Sequence, residues 1–206
     1  MHERLNKGLK NCLIANIMFF AFGLICFVYY KTYVNGSVLS KIIEVLAYSC
    51  EICGFMLFLW GDWLISTAIR FRNTLKASLT AYIFLEALMM IFELNSNRLD
   101  FYEPYSLLLA IVHSVISGLT CLTFLQLETD KKPLERMVLV CIAMMFAGMF
   151  GNIIGIRIYF SIIVNAVAFA VLFYSVRRLI AREEIEVDCH GDKARVAEFK
   201  STFVDD

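Results

Sequence analysis

Six long apolar runs, separated by short polar stretches, organise the chain. They cover approximately residues 12–31, 42–66, 77–95, 105–126, 135–155 and 158–177. Each is long enough to cross a hydrocarbon layer about 30 Å thick as an α-helix. The pattern predicts an all-α fold: a polytopic integral membrane protein whose six-transmembrane-helix bundle occupies residues 1–181. A short polar tail, 182–206, follows. The fifth and sixth runs are joined only by a few residues around Arg157, a tight antiparallel hairpin. The last helix is expected to continue into Arg177–Glu184.

The ends of the runs carry their own signals. Trp60, Trp63, Tyr29, Tyr30, Tyr102, Tyr105, Tyr159 and Tyr174 fall near span ends, where amphipathic rings favour the headgroup region. Pro104 and Pro133 stand at the start of spans, where a missing backbone N–H costs least. Basic residues alternate in the connections. One side receives Arg4, Lys7, Lys10, Arg70, Arg72, Lys76, Lys131, Lys132, Arg136, Arg177, Arg178 and Arg182. The other receives Lys31, Lys41, Arg98 and Arg157. This bias predicts that both termini are cytoplasmic, in a plasma (inner) membrane.

Composition agrees with a membrane chain. Of 206 residues, 60% are hydrophobic and 18% charged, against about 25% charged in an ordinary soluble domain. Mean hydropathy is +0.69. The formal net charge is zero, which offers no basic face to nucleic acid. The first apolar run is too long for a signal-peptide h-region and no cleavage pattern follows it, so it reads as a span. Six of the seven cysteines lie inside predicted spans, where cysteine packs as a small apolar residue. Cys50 and Cys53 form a C-x-x-C, but within an apolar span packing is favoured over redox exchange.

The spans are not uniformly apolar. The second carries Glu44, Tyr48, Glu51 and Asp62 on one helical face; the third carries Tyr82, Glu86 and Glu93 at spacings of four and seven. The fourth has Ser106, His113, Ser117 and Thr120. The fifth contributes Gly148, Asn152 and Gly155, and the sixth Ser161 and Asn165. Counting along each helix, Glu51, Glu86, His113 and Asn165 lie roughly 7–10 residues from the outer end, with Asn152 about one turn shallower. A charged group at mid-membrane costs about 2.5–3.5 kcal/mol on insertion scales, so such residues tend to face the bundle interior and mark a site. Glu44, Asp62 and Glu93 read as solvated near interfaces.

If these faces meet, they enclose two carboxyls, an imidazole and carboxamides, with no Lys or Arg at the same level. Such a site must hold protons, bind a cation, or pair with His113 as imidazolium. Tyr48 and Tyr82, one turn from the glutamates, add hydroxyls or ring faces for an ammonium group. The candidate ligand-binding residues are therefore Glu51, Glu86, His113, Asn152, Asn165, Tyr48 and Tyr82. No local metal-ligand motif supports a metal, and no cofactor is indicated. The plainer alternative is that these polar groups only tie helices together.

Three functions follow as expectations. The first is binding or translocation of a small cationic or protonatable solute through an outward-half pocket, by a transporter or a substrate-capturing subunit. The size and six-helix topology resemble the substrate-binding components of energy-coupling-factor transporters. Their small-residue seam is absent from the first span, which has only Ala15 and Ala21, and no family is assigned. The second is a sensory module signalling to a separate cytoplasmic partner. The third is an intramembrane enzyme with Glu51 or Glu86 as general acid and His113 as base. In the fifth span, Ala147-x-x-x-Gly151-x-x-x-Gly155 permits close helix approach, within the chain or in a homo-oligomer.

Overall fold

In lipid, backbone N–H and C=O groups must find partners within the chain, and a continuous helix satisfies them segment by segment. The apolar runs obey this rule throughout. The computed structural model describes residues 2–32, 38–69, 73–95, 102–127, 132–153 and 158–181. They form α1 (His2–Thr32), α2 (Val38–Ala68), α3 (Asn73–Asn95), α4 (Tyr102–Thr123), α5 (Lys132–Ile153) and α6 (Ile158–Ala181). A 3-10 turn, Phe124–Leu127, finishes α4. Five helices contain stretches long and apolar enough to cross a membrane: Glu3–Tyr29, Val38–Ala68, Thr74–Ile91, Leu134–Gly151 and Tyr159–Ile180. The corresponding stretch described in α4 is shorter, Ile111–Thr123. The chain is thus an all-helical protein with the character of a membrane bundle.

Helix α1 begins at His2 rather than near residue 12. Leu5, Gly8, Leu9 and Cys12 carry a buried stripe at helical spacing through the basic segment, while Arg4, Lys7 and Lys10 are exposed on the other side. The extra turns pack against the end of α2. A Cβ on Gly8 would lie 2.8 Å from the Gly61 carbonyl oxygen, and one on Gly61 would lie 2.5 Å from Cys12 Sγ. Only glycine lets the two backbones cross this closely. The same crossing buries Asp62, which is 8% exposed and accepts a hydrogen bond from Ser66 Oγ at 3.4 Å. Asp62 is therefore not the solvated interfacial residue expected from the sequence.

The helices pack in sequence order around a ring, α1 on α2 through to α5 on α6, and α6 closes it against α1. The contact between α2 and α3 is the sparsest of the six, and α4 also reaches α6 across the interior. Close approach of α5 to α6 runs through Gly148, where a Cβ would touch Ser161 and Val164 at 3.4 Å. In the predicted small-residue seam, Ala147 is exposed, Gly151 is buried, and Gly155 lies outside the described residues. The bundle core includes Phe58, Leu79, Phe124, Val138, Phe169 and Phe173. Outside, large apolar side chains face away from the protein: Val45 is 65% exposed, Met56 60%, Trp63 61% and Phe84 71%. Such a surface in water is an association liability. Against lipid tails it carries no penalty.

Candidate functional site

The polar stripes of α3, α4 and α6 converge. His113 sits on the buried face of α4, with Ser114, Ser117 and Thr120 further along it. Ser117 and Thr120 turn their hydroxyls back onto the α4 backbone, to the carbonyls of His113 (2.6 Å) and Ile116 (2.8 Å). Thr120 also approaches the Ser78 carbonyl on α3 at 3.4 Å, and the imidazole of His113 reaches two helices at once. Its Nε2 is 2.7 Å from Glu86 Oε1 on α3, and its Nδ1 is 3.0 Å from Asn165 Nδ2 on α6. Tyr82, one turn before Glu86 on α3, donates its hydroxyl to the same carboxylate. Tyr82, Glu86, His113 and Asn165 form one hydrogen-bonded chain across three helices.

The geometry constrains where the protons sit. A carboxamide nitrogen only donates, so His113 Nδ1 accepts from Asn165. The ring proton then belongs to Nε2 and is donated to Glu86. In this arrangement the imidazole is neutral and Glu86 accepts through Oε1. Protonating Nδ1 requires the Asn165 carboxamide to turn over, which exchanges an acceptor for a donor on its free side.

Beside this chain lies a cavity of about 50 Å³. Its polar wall comprises Asn16 from α1, Glu51 from α2, Tyr82 and Glu86 from α3, His113 from α4, and Ser161 and Asn165 from α6. Phe19, Phe22, Met89, Ile162 and Ala166 complete it. No Lys or Arg lines it among the described residues. Two of its carboxamides are deeply buried, Asn16 at 1% and Asn165 at 3% exposed. Asn16 gives its nitrogen to the Cys12 carbonyl at 2.8 Å. The Oδ1 atoms of Asn16 and Asn165 are buried with no hydrogen-bond partner among the described residues. A buried acceptor without a donor costs roughly 1–3 kcal/mol.

Towards the end of the bundle where α1 begins, Tyr82 bounds the cavity and an aromatic floor packs behind its ring. Tyr82 meets Phe169 at 4.8 Å and Phe58 at 5.2 Å between centroids. Phe173 lies beneath, 6.0 Å from Phe58 and 5.8 Å from Phe169, and Phe124 packs on it at 5.5 Å. Tyr82 therefore has two roles: its hydroxyl faces the polar chain and its ring belongs to the floor.

Of the seven residues singled out from the sequence, Glu51, Glu86, His113, Asn165 and Tyr82 line this one cavity. Tyr48 is half-buried on α2 and is not part of the wall: three residues before Glu51, it is displaced about 60° round the helix and about 4.5 Å towards its start. The Asn152 side chain lies outside the described residues. Asn16 and Ser161 are additions from the structure. Asn16 is the one carboxamide inside the first apolar run, and that isolation was the available signal. Among the described residues, no group of three His, Cys, Asp or Glu side chains is arranged to share a metal ion. Cys50 and Cys53 are free thiols, half-buried and exposed respectively. No protein-family model, curated protein or solved structure matches the chain.

Proposed function

We propose that this chain is a six-span membrane protein, with both termini cytoplasmic, that binds a small cationic or protonatable solute in its polar cavity as a transporter or substrate-capturing transporter subunit. One observation carries the reading. Among the described residues, a cavity wall made of two carboxyl groups and two unpartnered carboxamide oxygens holds acceptors in excess, with no Lys or Arg to match them. A positively charged donor answers both the charge and the hydrogen-bond deficit. The volume favours a compact group of a few heavy atoms over a ring-containing cofactor. In the orientation given by the basic loops, the aromatic floor faces the cytoplasm and the cavity lies towards the outside.

The test uses purified protein in lipid nanodiscs. Methylammonium chloride should raise the midpoint of thermal unfolding relative to an equal concentration of sodium chloride. Glu86→Gln and Glu51→Gln should each remove most of that response. A response that survives both substitutions would defeat the proposal. Native mass spectrometry of the freshly purified protein adds an independent readout, a retained basic solute lost from the double variant.

A further inference from the structure

A second hollow adjoins the first. It is a groove of about 470 Å³ on the outer surface between α1 and α6. Leu13, Ile17 and Phe20 form one bank; Val167, Ala170 and Val171 form the other, with Tyr174 at one end. Its wall is apolar except for Asn16 and the Tyr174 hydroxyl. Asn16 and Ala166 line both the groove and the polar cavity, so they form the partition between them. The groove opens towards lipid: Ile17 is 53% exposed and Tyr174 54%.

Resting on the cation-binding reading, we infer that the solute is a membrane-dissolved primary alkylamine whose ammonium head occupies the polar cavity and whose single alkyl tail lies in the α1–α6 groove. The head is argued from the acceptors. An ammonium group has three N–H donors and no acceptor, the complement of Asn16 Oδ1, Asn165 Oδ1 and the Glu86 carboxylate. A quaternary ammonium has the charge but no proton to donate. The tail is argued from the partition. Any surface groove in lipid fills with hydrocarbon, but this one ends at a buried carboxamide that also faces a polar site. From Ala166 to Tyr174 the helix rises about 12 Å, room for a medium-length alkyl chain. Ala166 and Ala170 keep that path open, since larger side chains there would project into it.

An alkyl tail gains nothing by leaving lipid for a groove of equal polarity, so chain length alone is not the test. The informative comparison is between proteins with the groove open and filled, because partition into the bilayer is common to both. Affinities for methylammonium and octylammonium are measured in nanodiscs for the unaltered chain, for Ala170→Phe and for Ile17→Trp. These variants fill the groove from opposite banks and leave the polar cavity's wall intact, so one serves if the other fails to fold. Octylammonium should weaken at least tenfold in each, with methylammonium within twofold of its original affinity. Octyltrimethylammonium should bind the unaltered chain at least tenfold more weakly than octylammonium. Unchanged octylammonium affinity in both variants, equal loss of both amines, or equal affinity for the trimethylated probe would overturn the inference while leaving Glu86-dependent methylammonium binding in place. If methylammonium and octylammonium both fail to bind the unaltered chain, the cation reading fails with it.

Discussion

Removing the His113 imidazole tests whether the hydrogen-bonded chain is a single unit. His113→Ala deletes two side-chain hydrogen bonds, at 2.7 Å to Glu86 and 3.0 Å to Asn165. Side-chain hydrogen bonds within membranes average about 0.6 kcal/mol and reach about 1.7. The substitution also leaves the part-buried Glu86 carboxylate with the Tyr82 hydroxyl but without its imidazole donor, adding about 1–3 kcal/mol. Together these give a loss of about 2–6 kcal/mol. Glu86→Gln keeps the shape, removes the charge, and should cost about 1 kcal/mol through the loss of charge assistance. In the double variant no carboxylate is left stranded, so the combined loss should fall short of the sum by about 1–3 kcal/mol. The assay is equilibrium unfolding in bicelles, followed by helical circular dichroism, for all four corners of the cycle. Losses that add to within about 0.5 kcal/mol would show that the two residues do not share the bond described, and the account of the site would fall.

Three further outcomes follow from other parts of the molecule. Gly61→Ala should destabilise by about 1–3 kcal/mol by overpacking the α1–α2 crossing. Gly118→Ala, where a Cβ meets nothing within 4 Å, should be neutral or stabilising by up to about 1 kcal/mol; the same unfolding assay separates them. Cysteines introduced at Glu3 and Ser201 should react with a membrane-impermeant maleimide only after the cells are permeabilised. One at Asn97 should react in intact cells, and the reverse pattern would refute the proposed orientation. Phe58→Ala should speed methylammonium dissociation while leaving its Glu86 dependence intact, because it thins the floor without touching the head-group contacts; stopped-flow displacement measures the rate, and an unchanged rate argues against the floor as a barrier.

The number and rough extent of the helices were legible because long apolar runs stand out against the short polar stretches between them, although only five helices contain a described stretch long enough to cross a membrane. Helix ends were less legible. The first turns of α1 carry Arg4, Lys7 and Lys10, which lower any averaged hydropathy, although Leu5, Gly8 and Leu9 hold the buried face. The convergence of Glu51, Glu86, His113 and Asn165 was accessible through depth, since residues at one level on adjoining helices have few places to go. The order of helices was not accessible. In a soluble bundle the polar side identifies the surface, but here Val45, Met56 and Phe84 face outward and are as apolar as the core. Asn16 escaped for a related reason. It is deeper along its helix than the others, and its level matches theirs only once α1 is seen to start at His2 and pack between α2 and α6.

The arrangement of the site has a direction that a set of interhelical hydrogen bonds would not need. If Glu86, His113 and Asn165 served only to fasten α3, α4 and α6, pairing every acceptor would be the stable solution, and a cavity beside them would weaken the joint. Instead two buried carboxamide oxygens, on residues that line the cavity, have no partner among the described residues, and Glu51 reaches the same wall from α2. The floor beneath it is built from Phe58, Tyr82, Phe169 and Phe173, drawn from α2, α3 and α6. Parting Phe58 from Tyr82 would open that floor between α2 and α3, the pair with the sparsest contact in the ring. If the chain is a transporter, α2 and α3 are the neighbouring helices that separate with least loss of packing. A subunit that only captures its solute can leave that seam closed, whereas a transporter must open it. Locking α2 to α3 by a cross-link between paired cysteines therefore separates the two forms of the proposal: binding should survive in both, and only a transporter loses its movement of methylammonium across the membrane.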